Sequence, residues 1–207
     1  MIRASQRETI PAVISAGIFF AMRLSALVFL AASPAFAGDG TCDDLWFTRN
    51  AIFHEAGYCF GSPLGQAVFG NDGCTTKTPD LSAEQAARLD RVKAAEQGCV
   101  VDSGRTSLDI PDLDIRRRLS VLPIRAEGES GCIGWKGGPV GLREGTSLSA
   151  GTLFTLAPGD VVLFSHETEQ AEGQVWDYVQ VFDDGVLRKA GWTVIDWGPD
   201  VCEQLAG

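Results

Sequence analysis

The sequence predicts an α+β protein with a helical first part and a β-rich second part. Between residues 43 and 99, apolar side chains recur at helical spacing between capping and stop residues. Between residues 132 and 202, glycine is dense and apolar residues alternate with polar ones, as they do in strands. Six cysteines are spread over both parts. We therefore expect a small disulfide-linked three-helix domain followed by a small β-barrel.

The composition excludes several classes of function. The chain has 207 residues, of which 45% are hydrophobic and 21% charged, an ordinary mixture for a globular protein. Its formal net charge is −10. Because phosphate contacts need clustered lysine and arginine, this acidic balance argues against a nucleic-acid partner. It also disfavours electrostatic docking on anionic lipid.

Two apolar runs open the chain, and the second has the parts of a secretory signal. Arg23 supplies the positive start, residues 24–32 the apolar stretch, and residues 35–37 the small residues of a cleavage site. We expect residues 1–37 to be a signal peptide, with Met22 as an alternative start, and the mature protein to be periplasmic or secreted and free of the membrane. The alternative is one uncleaved membrane helix, which would place Arg23 near the bilayer centre at a cost of roughly 2.5–3.5 kcal/mol.

All six cysteines follow the predicted signal peptide. An even number of cysteines in an exported chain indicates three disulfides. A zinc site is the competing interpretation, but the chain has no CxxC spacing and only two histidines. We expect no metal and no cofactor. Six cysteines allow 15 pairings, which the sequence alone cannot distinguish. The pairing that we favour, because it joins the ends of predicted elements within each part, is Cys42–Cys99, Cys59–Cys74 and Cys132–Cys202.

Cap and stop residues mark three helices in the first part. Gly57 stands where a left-handed stop is needed, and Ser62 is a cap followed by a first-turn proline. Ser82 and Gln85 form a capping-box pair. The predicted helices run from Asp43 or Asp44 to Ala56, from Pro63 to Phe69, and from Ser82 to the stop at Gly98.

A set of residues in the first part follows the pattern of a known bacterial domain. These residues are Arg49, Asn50, Ile52, Gly57, Tyr58, Phe60, Ser62, Pro63 and Phe69. They resemble the YARHG domain, which is presumed extracellular, and we assign residues 38–102 to it. The resemblance implies a non-catalytic module. The motif that names the domain stands here as Phe53-His54-Glu55-Ala56-Gly57, so no role of its arginine or histidine carries over.

The second part also resembles a known domain. The residues that carry the likeness are Leu142-Arg143-Glu144-Gly145, Leu156 to Val161, Trp176-Asp177-Tyr178-Val179 and Gly191-Trp192-Thr193-Val194. They are similar to a bacterial Src-homology-three-type (SH3-like) domain, which implies a small SH3-like β-barrel over residues 132–207. The implied role is binding of cell-wall peptides or glycans without catalysis. Residues 103–131 are then an exposed linker, and its basic run 116–118 is the end of a short helix.

Aromatic residues are the best candidates for a binding site. Four of the five tryptophans lie in the second part, and flat aromatic surface suits sugar faces and extended peptides. We expect Trp135, Tyr178 and Trp192 to line a ligand groove. The alternative is that these rings plug the open ends of the barrel.

The sequence contains no recognised catalytic motif. His54-Glu55 lacks the second histidine of a metalloprotease helix, and we interpret His166-Glu167 as a surface strand end. We therefore expect that the protein is not an enzyme. The predicted function is an exported, non-catalytic cell-envelope binding protein for a wall-derived peptide or glycan. The alternatives are an interaction or inhibitor module acting on an envelope protein, and a wall hydrolase with unrecognised carboxylates.

Overall fold

The computed structural model describes residues 39–207, and the predicted signal peptide lies outside the described residues. All of these residues belong to one compact unit. The helices are α1 (Asp39–Glu55), α2 (Pro63–Phe69), α3 (Ala83–Ala95) and α4 (Leu113–Arg116). The strands are β1 (Arg125–Trp135), β2 (Val140–Arg143), β3 (Thr152–Leu156), β4 (Val161–His166), β5 (Glu169–Ala171), β6 (Gln174–Asp183), β7 (Val186–Thr193) and β8 (Cys202–Ala206).

The ends of the helices follow the capping signals in the sequence. At α2, the Ser62 hydroxyl accepts a hydrogen bond from the Gly65 amide at 3.1 Å, and Gly70 ends the helix with a φ of 71°. At α3, Ser82 and Gln85 make both hydrogen bonds of the predicted capping box. Helix α1 begins at Asp39, several residues before the predicted start. It ends at Glu55, one residue before the predicted end at Ala56.

The three predicted disulfides are confirmed. Each joins Cα atoms 5.0–5.4 Å apart, within the usual range. The pairs are Cys42–Cys99, Cys59–Cys74 and Cys132–Cys202. Disulfides persist in oxidising compartments, so these three are consistent with a periplasmic or extracellular location. Within residues 39–207, no helix is long and apolar enough to cross a membrane.

The strands form one antiparallel sheet in the order β3-β2-β7-β6-β4-β1-β8, with β5 paired to β6. Strands β3 and β8 end the order, and no pairing between described strands joins them. The sheet is therefore open, and the predicted SH3-like barrel is not confirmed. The tight turn predicted at Asp184-Gly185 is present between β6 and β7, where both residues have positive φ, 49° and 73°.

Each face of the sheet carries its own apolar core. On one face, Cys132, Val162 and Val181 lie in register across three neighbouring strands. The other face carries a second cluster, Trp176, Tyr178, Ala190 and Trp192, which packs against Ile115, Leu119 and Val121. Residues from the predicted linker thus cover an aromatic face of the sheet.

The helices share their core with the chain that follows them. Leu45 and Ile52 of α1 pack with Leu89 and Val92 of α3, and Ile124 completes this cluster with no exposed surface. The Thr48 hydroxyl also donates to the Pro123 carbonyl at 3.0 Å. A self-contained three-helix domain is therefore not confirmed. The exposed linker predicted at residues 103–131 is wrong in part, because several of its side chains are buried. The short helix predicted to end in the basic run 116–118 is present as α4.

Candidate functional site

The three aromatic residues predicted to line a groove are buried. Trp135, Tyr178 and Trp192 are 4%, 1% and 0% exposed. Tyr178 and Trp192 contact each other with ring centroids 5.5 Å apart, whereas Trp135 belongs to the core on the other face. The three do not line one groove, which corrects that expectation.

The polar atoms of these three side chains explain their placement. The Trp192 indole donates to the Val121 carbonyl at 2.7 Å, and the Trp135 indole donates to the Gly138 carbonyl at 3.0 Å. The Tyr178 hydroxyl donates to Asp112 at 2.7 Å. Buried indoles and phenols need such partners, and here the chain supplies all of them.

A cleft of about 690 Å³ lies beside β1 and is the candidate functional site. We call it the β1 cleft. It is lined by residues 126–131 of β1, 164–166 of β4 and 205–207, together with Thr168, Asp177 and Trp197. Strand β1 leaves its register with β4 between Arg125 and Ser130. Gly128 has a φ of 84° there, in the left-handed region that favours glycine. This bulge bends β1 and opens the cleft.

Two aromatic rings form one wall of the β1 cleft. Phe164 and Trp197 are half-buried and meet edge to face with centroids 4.6 Å apart. Trp197 also contacts Trp135 edge to face, with ring centroids 5.5 Å apart. The Trp197 indole donates to a carboxylate oxygen of Asp177 at 3.0 Å. Packing and this hydrogen bond fix the orientation of the Trp197 ring.

The charge of the β1 cleft is acidic. Its lining residues, all in the described part of the chain, include Glu127, Glu129 and Asp177 but no lysine or arginine. Glu129 forms an ion pair with Arg125. Burial raises the pKa of Asp177, and the hydrogen bond from Trp197 opposes that rise. Asp177 is thus a half-buried carboxylate with one protein donor.

Buried polar side chains stand behind the β1 cleft. The His166 ring is fully buried, and its Nε2 lies 3.0 Å from Asp44 Oδ2 and 2.8 Å from Arg116 Nη2. Its Nδ1 lies 3.1 Å from the Ser165 hydroxyl. Burial lowers the pKa of His166, and Arg116 lowers it further while Asp44 opposes the shift. The ring is therefore neutral at pH 7.

Arg116 connects this histidine to two carboxylates. Its guanidinium is fully buried and donates to Asp44 Oδ2 at 2.7 Å and to Asp112 Oδ1 at 2.8 Å. Burial would raise the pKa of Asp44, but Arg116 and His166 outweigh it and hold that pKa at about 2. The two carboxylates in turn raise the pKa of Arg116 against the effect of burial. Asp44 and Arg116 are therefore both charged in the folded protein.

This group of buried residues links α1 and α4 to the sheet. Asp112 accepts hydrogen bonds from the Tyr178 hydroxyl at 2.7 Å and from the Gln180 amide at 3.0 Å. We name the whole set the polar cluster: Asp44, Asp112, Arg116, Ser165, His166, Tyr178 and Gln180. Removing one member of a buried charged pair costs far more than the net worth of the pair, so the polar cluster fixes how α1 and α4 pack on the sheet.

The order Asp44, His166, Ser165 matches the hydrogen-bond order of a hydrolase triad, but the surroundings oppose that chemistry. The Ser165 hydroxyl accepts a hydrogen bond from Arg125 at 2.9 Å, and the residue is 1% exposed. A general base must take up a proton, and the adjacent Arg116 charge disfavours a proton on His166. These contacts are typical of a structural role for Asp44, Ser165 and His166.

Sequence reasoning missed most of the residues described above. The surface position predicted for His166 is wrong, and of the basic run 116–118 only Arg116 is buried. One signal in the sequence could have identified it, since Asp112 and Arg116 have the i,i+4 spacing of a helical ion pair. The pairing of Asp177 with Trp197 spans 20 residues and leaves no such signal.

Fold and site together define a disulfide-linked α+β protein in which helices are fixed by buried charges to an open antiparallel sheet. Residues 98–207 match the domain of unknown function DUF4453, and because this is more than half of the chain, the protein belongs to that family. Residues 22–97 match the YARHG domain, which confirms the resemblance stated for the first part. No curated protein and no solved structure matches the chain.

Proposed function

We propose that the protein is an exported, non-catalytic binding protein of the cell envelope, and that the β1 cleft holds a wall-derived peptide or glycan. The three disulfides support an oxidising compartment outside the cytoplasm. The observation that carries the proposal is the cleft itself, because it combines a half-exposed aromatic wall with carboxylates and a volume of about 690 Å³. Ligand sites commonly have 300–1,000 Å³ and this mixture of apolar walls and few polar groups.

The arrangement of the lining favours binding over hydrolysis. Ser165 and His166 stand behind the cleft, but their polar atoms are engaged with Arg125, Arg116 and Asp44. The lining also offers the half-buried rings of Trp197 and Phe164 and the exposed backbone of the β1 bulge. Such a surface offers stacking and hydrogen bonding to a sugar or an extended peptide.

A second candidate function is an interaction or inhibitor module for another envelope protein. It is favoured by an apolar cavity of about 370 Å³ next to the first, which includes exposed Ile133 and Val161. Its lining has a single charged residue, Glu129, which is already paired with Arg125. Exposed apolar surface of this kind is typical of protein contacts.

A titration tests the first function against the second. The oxidised protein is titrated with soluble wall fragments while heat and tryptophan fluorescence are recorded. We expect saturable binding that Trp197→Leu weakens at least tenfold. Val186→Ala is the matched control, because Val186 is 49% exposed and lies outside the cleft. No response to fragments at millimolar concentration would count against the first function, and capture of one envelope protein that Val161→Asp abolishes would then support the second.

A further inference from the structure

We propose, resting on the function assigned above to the β1 cleft, that the group it recognises is a primary ammonium on a short apolar stem. The ammonium lies against the Trp197 ring and the carboxylates of Asp177 and Glu127, and the stem packs on Phe164. The ammonium with such a stem occurs on a diamino acid side chain of a peptide, and an ammonium without the stem occurs on the ring of an amino sugar that has lost its acetyl group.

The β1 cleft leaves negative charge unbalanced. Of its three acidic residues, Glu129 is paired with Arg125, whose guanidinium also donates to Ser165. Glu127 is exposed and Asp177 half-buried, and among residues 39–207 no arginine, lysine or histidine pairs with either of them. His166 is the one basic residue of the lining, and its ring is buried and held by Asp44. A cationic ligand complements this surface, whereas an anionic ligand would meet two unpaired carboxylates.

The hydrogen bonding of Asp177 also favours an ammonium. Its carboxylate receives one protein hydrogen bond, from the Trp197 indole at 3.0 Å. An ionised carboxylate has about four acceptor positions, and this one is partly withdrawn from water. An ammonium carries three donors and a charge of the opposite sign. It therefore satisfies Asp177 better than a neutral amide or hydroxyl does, because hydrogen bonds between charged groups are the stronger ones.

The position of Trp197 relative to that carboxylate favours an ammonium as well. The hydrogen bond between them holds the indole next to Asp177, and the contacts with Trp135 and Phe164 hold it from two other sides. Indole is the best aromatic partner for a cation, worth about 0.5–1 kcal/mol at exposed sites and about 2 when water is excluded. The ring face and the carboxylate can thus act on the same ammonium.

The neighbouring cavity of about 370 Å³ provides a contrast within the same molecule. Its lining includes Ile133, Val161, Leu163 and Phe182, and its one acidic residue is the paired Glu129. It offers no free carboxylate for an ammonium. The preference for a cation is therefore a property of the β1 cleft and not of this end of the sheet in general.

The experiment compares ligands that differ only at the amine. The full mature chain, oxidised, is titrated by calorimetry at low salt with two pairs. The first is a wall peptide with a free side-chain amine and the same peptide acetylated at that amine. The second is a wall glycan with a free amino sugar and its acetylated form. We expect the free amine to bind at least tenfold more tightly in at least one of the two pairs, and the pair that responds identifies the carrier.

Variants of the chain complete the test. Asp177→Asn retains an oxygen for the Trp197 indole, so we expect it to fold, and we expect it to lose at least tenfold in affinity for the free amine only. Asp183→Asn is the matched control, since Asp183 lies on the same strand with its side chain 72% exposed. Equal binding of free and acetylated ligands would overturn the ammonium site and leave the proposed function standing. Binding of no peptide and no glycan in either form would overturn both.

Discussion

Nη2 of Arg116 lies 2.8 Å from Nε2 of His166, and both groups are buried between the helices and the sheet. A guanidinium always carries its charge, and burial together with this charge lowers the pKa of His166. His166 is therefore neutral inside the polar cluster, and acid has to place a proton on a buried ring beside Arg116.

The free energy of unfolding should decrease as the pH falls, and protonation of His166 should cause the first part of this decrease. Its pKa is lowered in the folded state, mainly by burial and further by Arg116, so below the ordinary value of 6.5 the unfolded chain binds a proton that the folded chain rejects. We expect the free energy of unfolding in urea to decrease from pH 7 to pH 5. In His166→Gln this part of the decrease should be absent, and an unchanged slope would contradict the prediction. The charged and titratable groups around the ring are Asp44, Asp112, Arg116, Arg125 and Tyr178.

Asp44 should add a second loss of stability at lower pH. Its pKa is about 2 in the folded state against an ordinary value of 3.8. A lowered carboxyl pKa contributes stability that is present above pH 4 and is lost as pH falls towards 2, here about 2 kcal/mol. Urea unfolding between pH 4.5 and 2.5 measures this loss of stability. Asp44→Asn, although less stable throughout, should lack this part of the slope, and a slope equal to that of the parent would argue against it.

Arg116→Met should destabilise the protein by roughly 3–5 kcal/mol, because it leaves Asp44 and Asp112 buried without their cation. The control is Arg117→Met. That side chain is 46% exposed and pairs with Asp114, itself 96% exposed, so we expect a change within about 0.5 kcal/mol. Urea unfolding of both oxidised variants checks the contrast, and equal effects would show that burial of Arg116 has no energetic role.

Gly128→Ala should destabilise the β1 bulge and weaken ligand binding. With a φ of 84°, an alanine would be strained by about 1–2 kcal/mol even though nothing lies within 4 Å of its Cβ. Gly138→Ala is the matched control, because it also has open space but no positive φ. The measurements are urea unfolding and the calorimetric titration, and parallel behaviour of the two variants would speak against a functional bulge.

Loss of the Cys132–Cys202 bond should cost more stability than loss of Cys59–Cys74. The first closes a separation of 70 residues and the second one of 15. In the chain-entropy model the costs are about 4 and about 3 kcal/mol. Double alanine variants of each pair, compared by thermal unfolding, test the order. Alkylation of the unfolded, unreduced parent should label no thiol, and any label would contradict the assigned pairing.

Local features of the fold were predictable from the sequence, because each depends on residues close together in the chain. Ser62 and Ser82 cap helices as their neighbours require, and Asp184-Gly185 makes the expected turn. Strand order was not predictable in this way. Alternation of apolar residues indicates which face of the sheet a side chain occupies, but it does not indicate which strand lies beside it. The open order of the sheet could therefore not be predicted from this pattern.

The candidate site was the least predictable part. Tyr178 and Trp192 are buried because residues 115–121 pack over them, and the sequence of that segment suggests exposed chain. Trp197 is half-exposed for the opposite reason, since the β1 bulge leaves an opening beside it. The exposure of these three rings thus depended on segments that are distant from them in the sequence.

The side chain of Ile124 connects the two matched regions of the chain through one shared core. It lies in the portion assigned to DUF4453, yet it fills the centre of the YARHG helices. Separating the chain between residues 97 and 98 would leave a cavity among the helices of one product and an uncovered isoleucine on the other. The two matched regions are therefore expected to fold as one cooperative unit, and neither is expected to be stable when it is expressed alone.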